Sequence, residues 1–288
     1  MYEPGSSQRA DLPLAVVVGA GGLGTAIARR LGHTHRLLFV TRTQATLDKQ
    51  VALLRAEGHD VRSHPCDVSN PGDVAKLAQA VAEYGPVKTL AHVVGLSPNM
   101  ADFRTIMNVN LVGPSMIADA LLPHMQPGGA AVFISSLAAH LKTVPGYTPP
   151  SPEIVYTILE NPQRPGFMEE LEAALGTDAT TTLAYGLSKG GLNRMCVRLA
   201  PSWGERGVRI VSLSPGMIAT PMGALEFQHQ PLKLTLLRKT PIPREATMLE
   251  IADITEFLLS DKAAFITGTD LLVDGGILAV LQNGDGRQ

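Results

Sequence analysis

Residues 14–31, LAVVVGAGGLGTAIARRL, constrain the fold more than any other stretch of the chain. The β-branched run Val16, Val17, Val18 ends at Gly19, and Gly21, Gly22 and Gly24 follow before Thr25 opens a segment of Ala, Ile, Arg and Leu that favours helix. Strand, glycine turn and helix succeed one another within one short segment. Gly19 can make the tight turn, Gly21 or Gly22 lets backbone approach a pyrophosphate with no Cβ in the way, and Gly24 lets helix and strand pack closely. The free N–H groups and the positive dipole end of the new helix would then face the anion, with Leu23 beside it in the turn. Between an apolar strand and an amphipathic helix, this turn points to a dinucleotide.

Strand and helix signals alternate from there on, the pattern of a parallel sheet covered on both faces. Strands are expected at 36–40, 60–64, 89–94, 130–135, 208–213 and 270–273, and helices at 43–57, 73–83, 102–122, 183–203 and 249–259. The fold class is therefore α/β, a Rossmann-type doubly wound parallel sheet of about seven strands. The rhythm breaks at 142–181, where Pro145, Pro149, Pro150, Pro152, Pro162 and Pro165 separate short helical pieces at 153–160 and 167–175. Ile154, Tyr156, Ile158, Leu159, Phe167 and Leu171 offer apolar anchors, so the segment reads as an inserted lid rather than disorder. A single catalytic domain at 13–280, with loose tails at 1–12 and 281–288, is the expected organisation.

Of the 288 residues 45% are hydrophobic and 17% charged, which fits a globular chain with buried strands. A net charge of −2 gives no electrostatic reason for nucleic acid or an anionic membrane as partner. No apolar run approaches the ~18 residues that span a bilayer, and the polar N-terminus does not resemble a signal peptide. Cys66 and Cys196 alone make neither a disulfide framework nor a thiolate metal site, so the cytoplasm is the expected compartment.

Tyr185 and Lys189 stand four apart near a helix start, so both project from one face. An ammonium close to a phenol favours the phenolate and lowers its pKa, which makes a proton donor and acceptor. Ser135 and Ser136 end an apolar strand, at the carboxyl edge where such sheets bind ligands. NAD sites place an acid about 20 positions after the glycines; here the second strand runs into Arg42, with no acid before Asp48, and a guanidinium there suits the 2′-phosphate of NADP(H).

Together these residues resemble the short-chain dehydrogenase/reductase family from about residue 14 to 277. The likeness is carried by the glycine turn, Cys66-Asp67-Val68, Asn110 in Val109-Asn110-Leu111, Ile134-Ser135-Ser136, Tyr185 with Lys189, Ser214-Pro215-Gly216 with Ile218 and Thr220, and Val273-Asp274-Gly275-Gly276. It implies interconversion of a carbonyl and a secondary alcohol on a small apolar molecule by hydride transfer. Asn110, Ser136, Tyr185 and Lys189 would be the catalytic four. Tyr185 would exchange the proton, Ser136 hold the substrate oxygen, Lys189 acidify Tyr185 and grip the nicotinamide ribose, and Asn110 hold a water in a proton relay. Asp67 and Val68 would contact the adenine, Pro215, Gly216, Ile218 and Thr220 the nicotinamide end, and Gly95 the cofactor after the fourth strand. A homo-oligomer is also implied.

The chain departs from the family in three places. Its glycine turn is one residue shorter than GxxxGxG, and His92-Val93-Val94-Gly95 stands where Asn-Asn-Ala-Gly is common, with His92 as a structural stand-in. The insertion separates Ser136 from Tyr185, which the family usually keeps about a dozen residues apart. Two other chemistries are weaker. Gly186, Ser188 and Gly190 match G-x-S-x-G, but a hydrolase elbow needs a strand before the serine, and 183–203 reads as helix. His33, His35, His64 and Cys66 lack further ligands at useful spacing for a metal. A dinucleotide-binding sensor without turnover is the alternative that keeps the same fold.

Overall fold

A strand of five consecutive apolar residues buries all of them only where its sheet is covered on both faces. In the computed structural model, which describes residues 11–142, 146–221, 223–224 and 232–283, β1 (Leu14–Val18) is such a strand. Leu14, Val16 and Val18 enter one core and Ala15 and Val17 the other. Six more parallel strands complete the sheet: β2 (Arg36–Thr41), β3 (Val61–Pro65), β4 (Val87–His92), β5 (Met125–Ile134), β6 (Arg209–Pro215) and β7 (Asp270–Val273). Their order is β3-β2-β1-β4-β5-β6-β7, so the chain reverses direction across the sheet between β1 and β4. That reversal opens a crevice at the carboxyl ends of the central strands.

The helices are α1 (Gly22–Leu31), α2 (Gln44–Ala56), α3 (Pro71–Tyr84), α4 (Phe103–Met107), α5 (Gly113–Leu121), α6 (Pro152–Ile158), α7 (Phe167–Leu175), α8 (Thr181–Glu205), α9 (Leu232–Lys239), α10 (Met248–Leu259) and α11 (Ile277–Asn283). Local chemistry sets several starts. Asn70 accepts from the N–H groups of Gly72 and Asp73 ahead of α3, which has Pro71 at its first position. Thr247 and Glu250 form a reciprocal capping box on α10.

The long helix expected at 102–122 is α4 and α5 joined by a π-helical segment, Asn108–Val112. With the turn that follows, the run Phe103–His124 is long and apolar enough by length and composition to cross a membrane, contrary to expectation. Just over half of it is buried in the protein, where Ile117, Ala118 and Leu121 pack on the sheet. The C-terminal expectation also changes. Residues 281–283 belong to α11, which Asp274 caps by accepting from the N–H groups of Gly276 and Leu278, both at 2.8 Å. Residues 1–10 and 284–288 of the expected tails lie outside the described residues.

The insertion stands between β5 and α8, and residues 143–145 of it lie outside the described residues. Its helices build a third core: Val155, Ile158, Leu159, Phe167, Leu171 and Leu175 pack on Phe103, Ile106, Leu111, Leu183 and Leu187. Polar contacts tie the same surfaces, Arg104 to Glu169 and Glu172, Gln163 to Ser115 and Asp119, and Arg194 to Glu160. The insertion is therefore built into the flank formed by α4, α5 and α8. Truncating fully buried Leu171 to Ala should cost about 2–5 kcal/mol in urea unfolding, as for a residue of a main core. A loss below about 0.5 kcal/mol would mark the segment as a dispensable decoration.

Candidate active site

The glycine turn has the geometry that a pyrophosphate requires. Gly19 lies in the left-handed half of the map at φ +121°, and a Cβ on Gly24 would come within 1.8 Å of the Gly19 carbonyl oxygen, so strand and helix meet with no room for a side chain. Gly21 and Gly22 differ in their surroundings. A Cβ on Gly21 would meet nothing within 4 Å, whereas one on Gly22 would strike the Met248 sulfur at 2.6 Å. Gly21 thus faces open space, and Gly22 lies against the Met248 side chain of α10. The first turn of α1 carries no acid, and its cap residue, Gly21, has no side chain to satisfy the free N–H groups. These features fit a dinucleotide phosphate.

Four chain segments converge at the carboxyl ends of β4 and β5. Asn110, fully buried in the π-helical segment, accepts from the Leu96 N–H at 2.8 Å and donates to the Leu96 carbonyl at 2.9 Å, pinning the loop after β4. Lys189, buried on α8, donates from Nζ to the carbonyl of Ile134, the last residue of β5, at 2.9 Å. A Cβ on Gly95 would lie 3.2 Å from Lys189 Nζ and 3.6 Å from Asn110 Oδ1, so Gly95 is the gap through which both groups reach one point. Tyr185 is one turn earlier on the same helix face, its ring centroid 6.0 Å from Lys189 Nζ. Burial pushes the Lys189 pKa down to about 8.

The two serines divide their work. Ser135 is buried and donates to the Lys189 carbonyl at 3.1 Å, so its hydroxyl proton is engaged in holding α8 to β5. Ser136 caps the short turn Leu137–His140, its Oγ accepting from the Ala138 N–H at 3.2 Å. An accepting hydroxyl keeps its own proton for another partner. Beside this turn, the insertion's Tyr147 lays its ring on Gly186, where a Cβ would approach Tyr147 Cδ1 to 2.8 Å.

Toward β2, exposed Arg42 reaches Asp67 at 4.0 Å, and Asp67 accepts from the Ser69 N–H and hydroxyl. Val68 packs on Gly113 with both its side chain and its backbone carbonyl: a Cβ at 113 would lie 2.9 Å from Val68 Cγ2 and 2.9 Å from its carbonyl oxygen. Beyond β6, Pro215 ends the strand and Gly216 packs on Asp274 so closely that a Cβ would lie 2.7 Å from its Cα. Ile218 bridges to Ala246, and Thr220 Oγ accepts from the Gly223 N–H. Of the segment that follows, residues 222 and 225–231 lie outside the described residues.

His92 is fully buried and stacks on Phe133 with ring centroids 5.5 Å apart. Burial and the charge of Lys189 push its pKa down to about 3, so it stays neutral and uncharged chemistry fills this place. Ser188 lies buried within α8, its hydroxyl bonded to the Tyr185 carbonyl, which removes the hydrolase elbow. Two partners were not legible in the sequence, the Ile134 carbonyl and Met248, because neither a backbone acceptor nor a distant packing residue leaves a local pattern.

A parallel sheet with a glycine turn at its switch point and a Tyr–Lys pair at its carboxyl edge defines a dinucleotide-dependent oxidoreductase. Comparisons with known proteins agree. A family model described as short chain dehydrogenase matches residues 13–149, and one described as enoyl-(acyl carrier protein) reductase matches 171–278. The short-chain dehydrogenase/reductase bsc3 of Alternaria brassicicola is 35% identical over 271 residues, covering 92% of this chain and 96% of that protein. A cis-4-hydroxycyclohexanecarboxylate dehydrogenase of Sinomonas cyclohexanicum is 26% identical and covers 93% and 97%. An actinorhodin polyketide ketoreductase crystallised with NADPH shares the fold, with a TM-score of 0.73 at 23% identity over 93% of this chain and 98% of that one. The chain belongs to the short-chain dehydrogenase/reductase family.

The folded pKa of Lys189, about 8, lies below its ordinary 10.5, so across that window the folded state binds fewer protons than the unfolded one. The stability due to this residue therefore rises with pH from about 8 to about 10.5, and below about 8 the full cost of burying the ammonium is present. Lys189→Met removes the titration. The difference in unfolding free energy, wild type minus variant, should rise by roughly 3 kcal/mol across that window. A difference that stays flat would contradict a buried charge at 189.

Proposed function

We propose that the chain is an NADP(H)-dependent reductase or dehydrogenase that interconverts a carbonyl and a secondary alcohol on an apolar small molecule. The observation that carries this reading is the meeting of Lys189 Nζ and Asn110 Oδ1 at Gly95, one helical turn from Tyr185 and beside the strand that ends in Ser136. When bound, the nicotinamide supplies the hydride. Ser136 donates its proton to the substrate oxygen and fixes it. Tyr185 gives the proton to that oxygen in reduction and takes it back in oxidation, and the Lys189 ammonium favours the phenolate left behind. Asn110 fixes the loop around Gly95 and holds a water on the path that returns a proton to Tyr185.

Gly19, Gly21 and the first turn of α1 would hold the pyrophosphate, Asp67 and Val68 the adenine, and Ile218 and Thr220 the nicotinamide end. Arg42 supports the choice of NADP(H), because it follows β2 with no acid in the chain before Asp48, and its pairing with Asp67 at 4.0 Å holds it toward the adenine side. The apolar residues of 217–240 and the ring of Tyr147 support an apolar substrate, and the insertion covers its cleft. The buried free thiols of Cys66 and Cys196 favour the reducing cytoplasm, and exposed Phe265 and Leu271, near and on the edge strand β7, favour a homo-oligomer.

Parallel titrations with NADPH and NADH, followed by a carbonyl and alcohol panel, test the reading; cofactor binding without any turnover would turn it toward a sensor. Tyr185→Phe should lower kcat by orders of magnitude with cofactor affinity nearly unchanged, and near-normal turnover would remove Tyr185 from the reaction. Arg42→Ala should weaken NADPH by about 1.5–3 kcal/mol and leave NADH almost untouched. Equal losses for both would show that Arg42 does not read the 2′-phosphate.

A further inference from the structure

The ladder of β5 ends at Ser135, whose N–H donates to the Leu213 carbonyl at 2.7 Å. Beyond it, Ser136 and the turn Leu137–His140 leave the sheet. On the inner side the turn rests on glycines: Cβ atoms at Gly186 and Gly190 would lie 3.6 Å from the Ala138 carbonyl oxygen and 3.9 Å from that of Ala139. Such contacts permit close approach and fix no direction.

Direction comes from the end of the turn. His140 Nε2 lies 2.8 Å from Asp270 Oδ2, at the start of β7. The other carboxylate oxygen of Asp270 accepts from Ser214 Oγ of β6 at 2.9 Å, and Ser214 in turn accepts from Asn193 Nδ2 of α8 at 3.3 Å. Asn193 follows Lys189 by one helical turn. Four side chains therefore run from the turn that carries Ser136, through β7 and β6, back to the helix that carries Tyr185. The Asp270 side chain is only 12% exposed, so water competes little for it and the loss of one partner is felt by the rest.

We infer that His140 and Asp270 are positioning residues for Ser136. By tying the serine's turn to the frame that holds α8, they set the separation between the Ser136 hydroxyl and Tyr185, a quantity whose error by ~1 Å can cost about 10²-fold in rate. The inference rests on the roles given to Ser136 and Tyr185 above. It concerns a pair of side chains outside the residues that touch substrate or cofactor.

The test uses the full chain, NADPH and the best carbonyl of the panel. His140→Ala and Asp270→Ala should each lower kcat about tenfold with the Kd for NADPH within about twofold of wild type, a split that general loosening of the fold would not produce. His140→Gln, whose Nε2 can donate to the same carboxylate, should recover kcat to within about threefold of wild type. The double alanine variant should lose no more than the worse single one, because both act through one contact. Ser136→Ala is measured alongside. If it falls by about 10²-fold or more while His140→Ala stays within about twofold, the positioning role is overturned and the proposed function stands. If Ser136→Ala itself is near normal, the underlying reading fails instead. A folded His140→Gln no better than His140→Ala, or additive losses in the double variant, would also overturn the inference. Should His140→Ala not fold, Asp270→Ala decides by the same criteria.

Discussion

The hydrogen bond from Lys189 to the Ile134 carbonyl is the contact on which the site depends. An ammonium removed from water must find compensation, and here the free carbonyl at the end of β5 provides it. That single contact fixes α8 against the central sheet at the place where the strand ladder gives out. Ser135 strengthens the joint from the other side by donating to the Lys189 carbonyl, so strand and helix are laced in both directions. Once α8 is fixed there, Tyr185 and Lys189 face the same crevice because of their spacing alone.

The other elements leave room around that charge. Gly95 admits Lys189 and Asn110 to one point, and the π-helical segment sets Asn110 where it can grip the Leu96 backbone. The helical glycines Gly186, Gly190 and Gly191 let Tyr147, Tyr156, Leu111 and Leu159 lie close on α8. The insertion thus packs closely on α8 by using the lack of side chains at these positions. Its own core on α4 and α8 adds burial to a helix that already holds a costly charge.

Legibility of the fold in the sequence followed locality. The valine run and the glycines of the turn spoke clearly, because burial on both strand faces and steric exclusion at Gly19 and Gly24 are properties of neighbouring residues. The alternation of elements pointed to a parallel sheet covered on both faces, but its strand order depends on long-range pairing that no local pattern carries. The prolines at 145–165 marked where the insertion lies, and its apolar residues showed that it buries itself, but helical spacing cannot say against which surface. The partner of Lys189 is a backbone carbonyl and was invisible for the same reason. Residues 281–283 read as tail because they run into Asn283-Gly284-Asp285, and the cap of their helix, Asp274, is part of the motif before it.

A charged lysine sits out of water between β5 and α8 at the heart of the site. Nitrogen NMR of the lysine ammonium groups, with Lys189→Met identifying the resonance, measures this directly as a pH titration. The midpoint expected for Lys189 in the free protein is near 8, carried down by burial. A midpoint at the ordinary 10.5 would place the ammonium in water and contradict it.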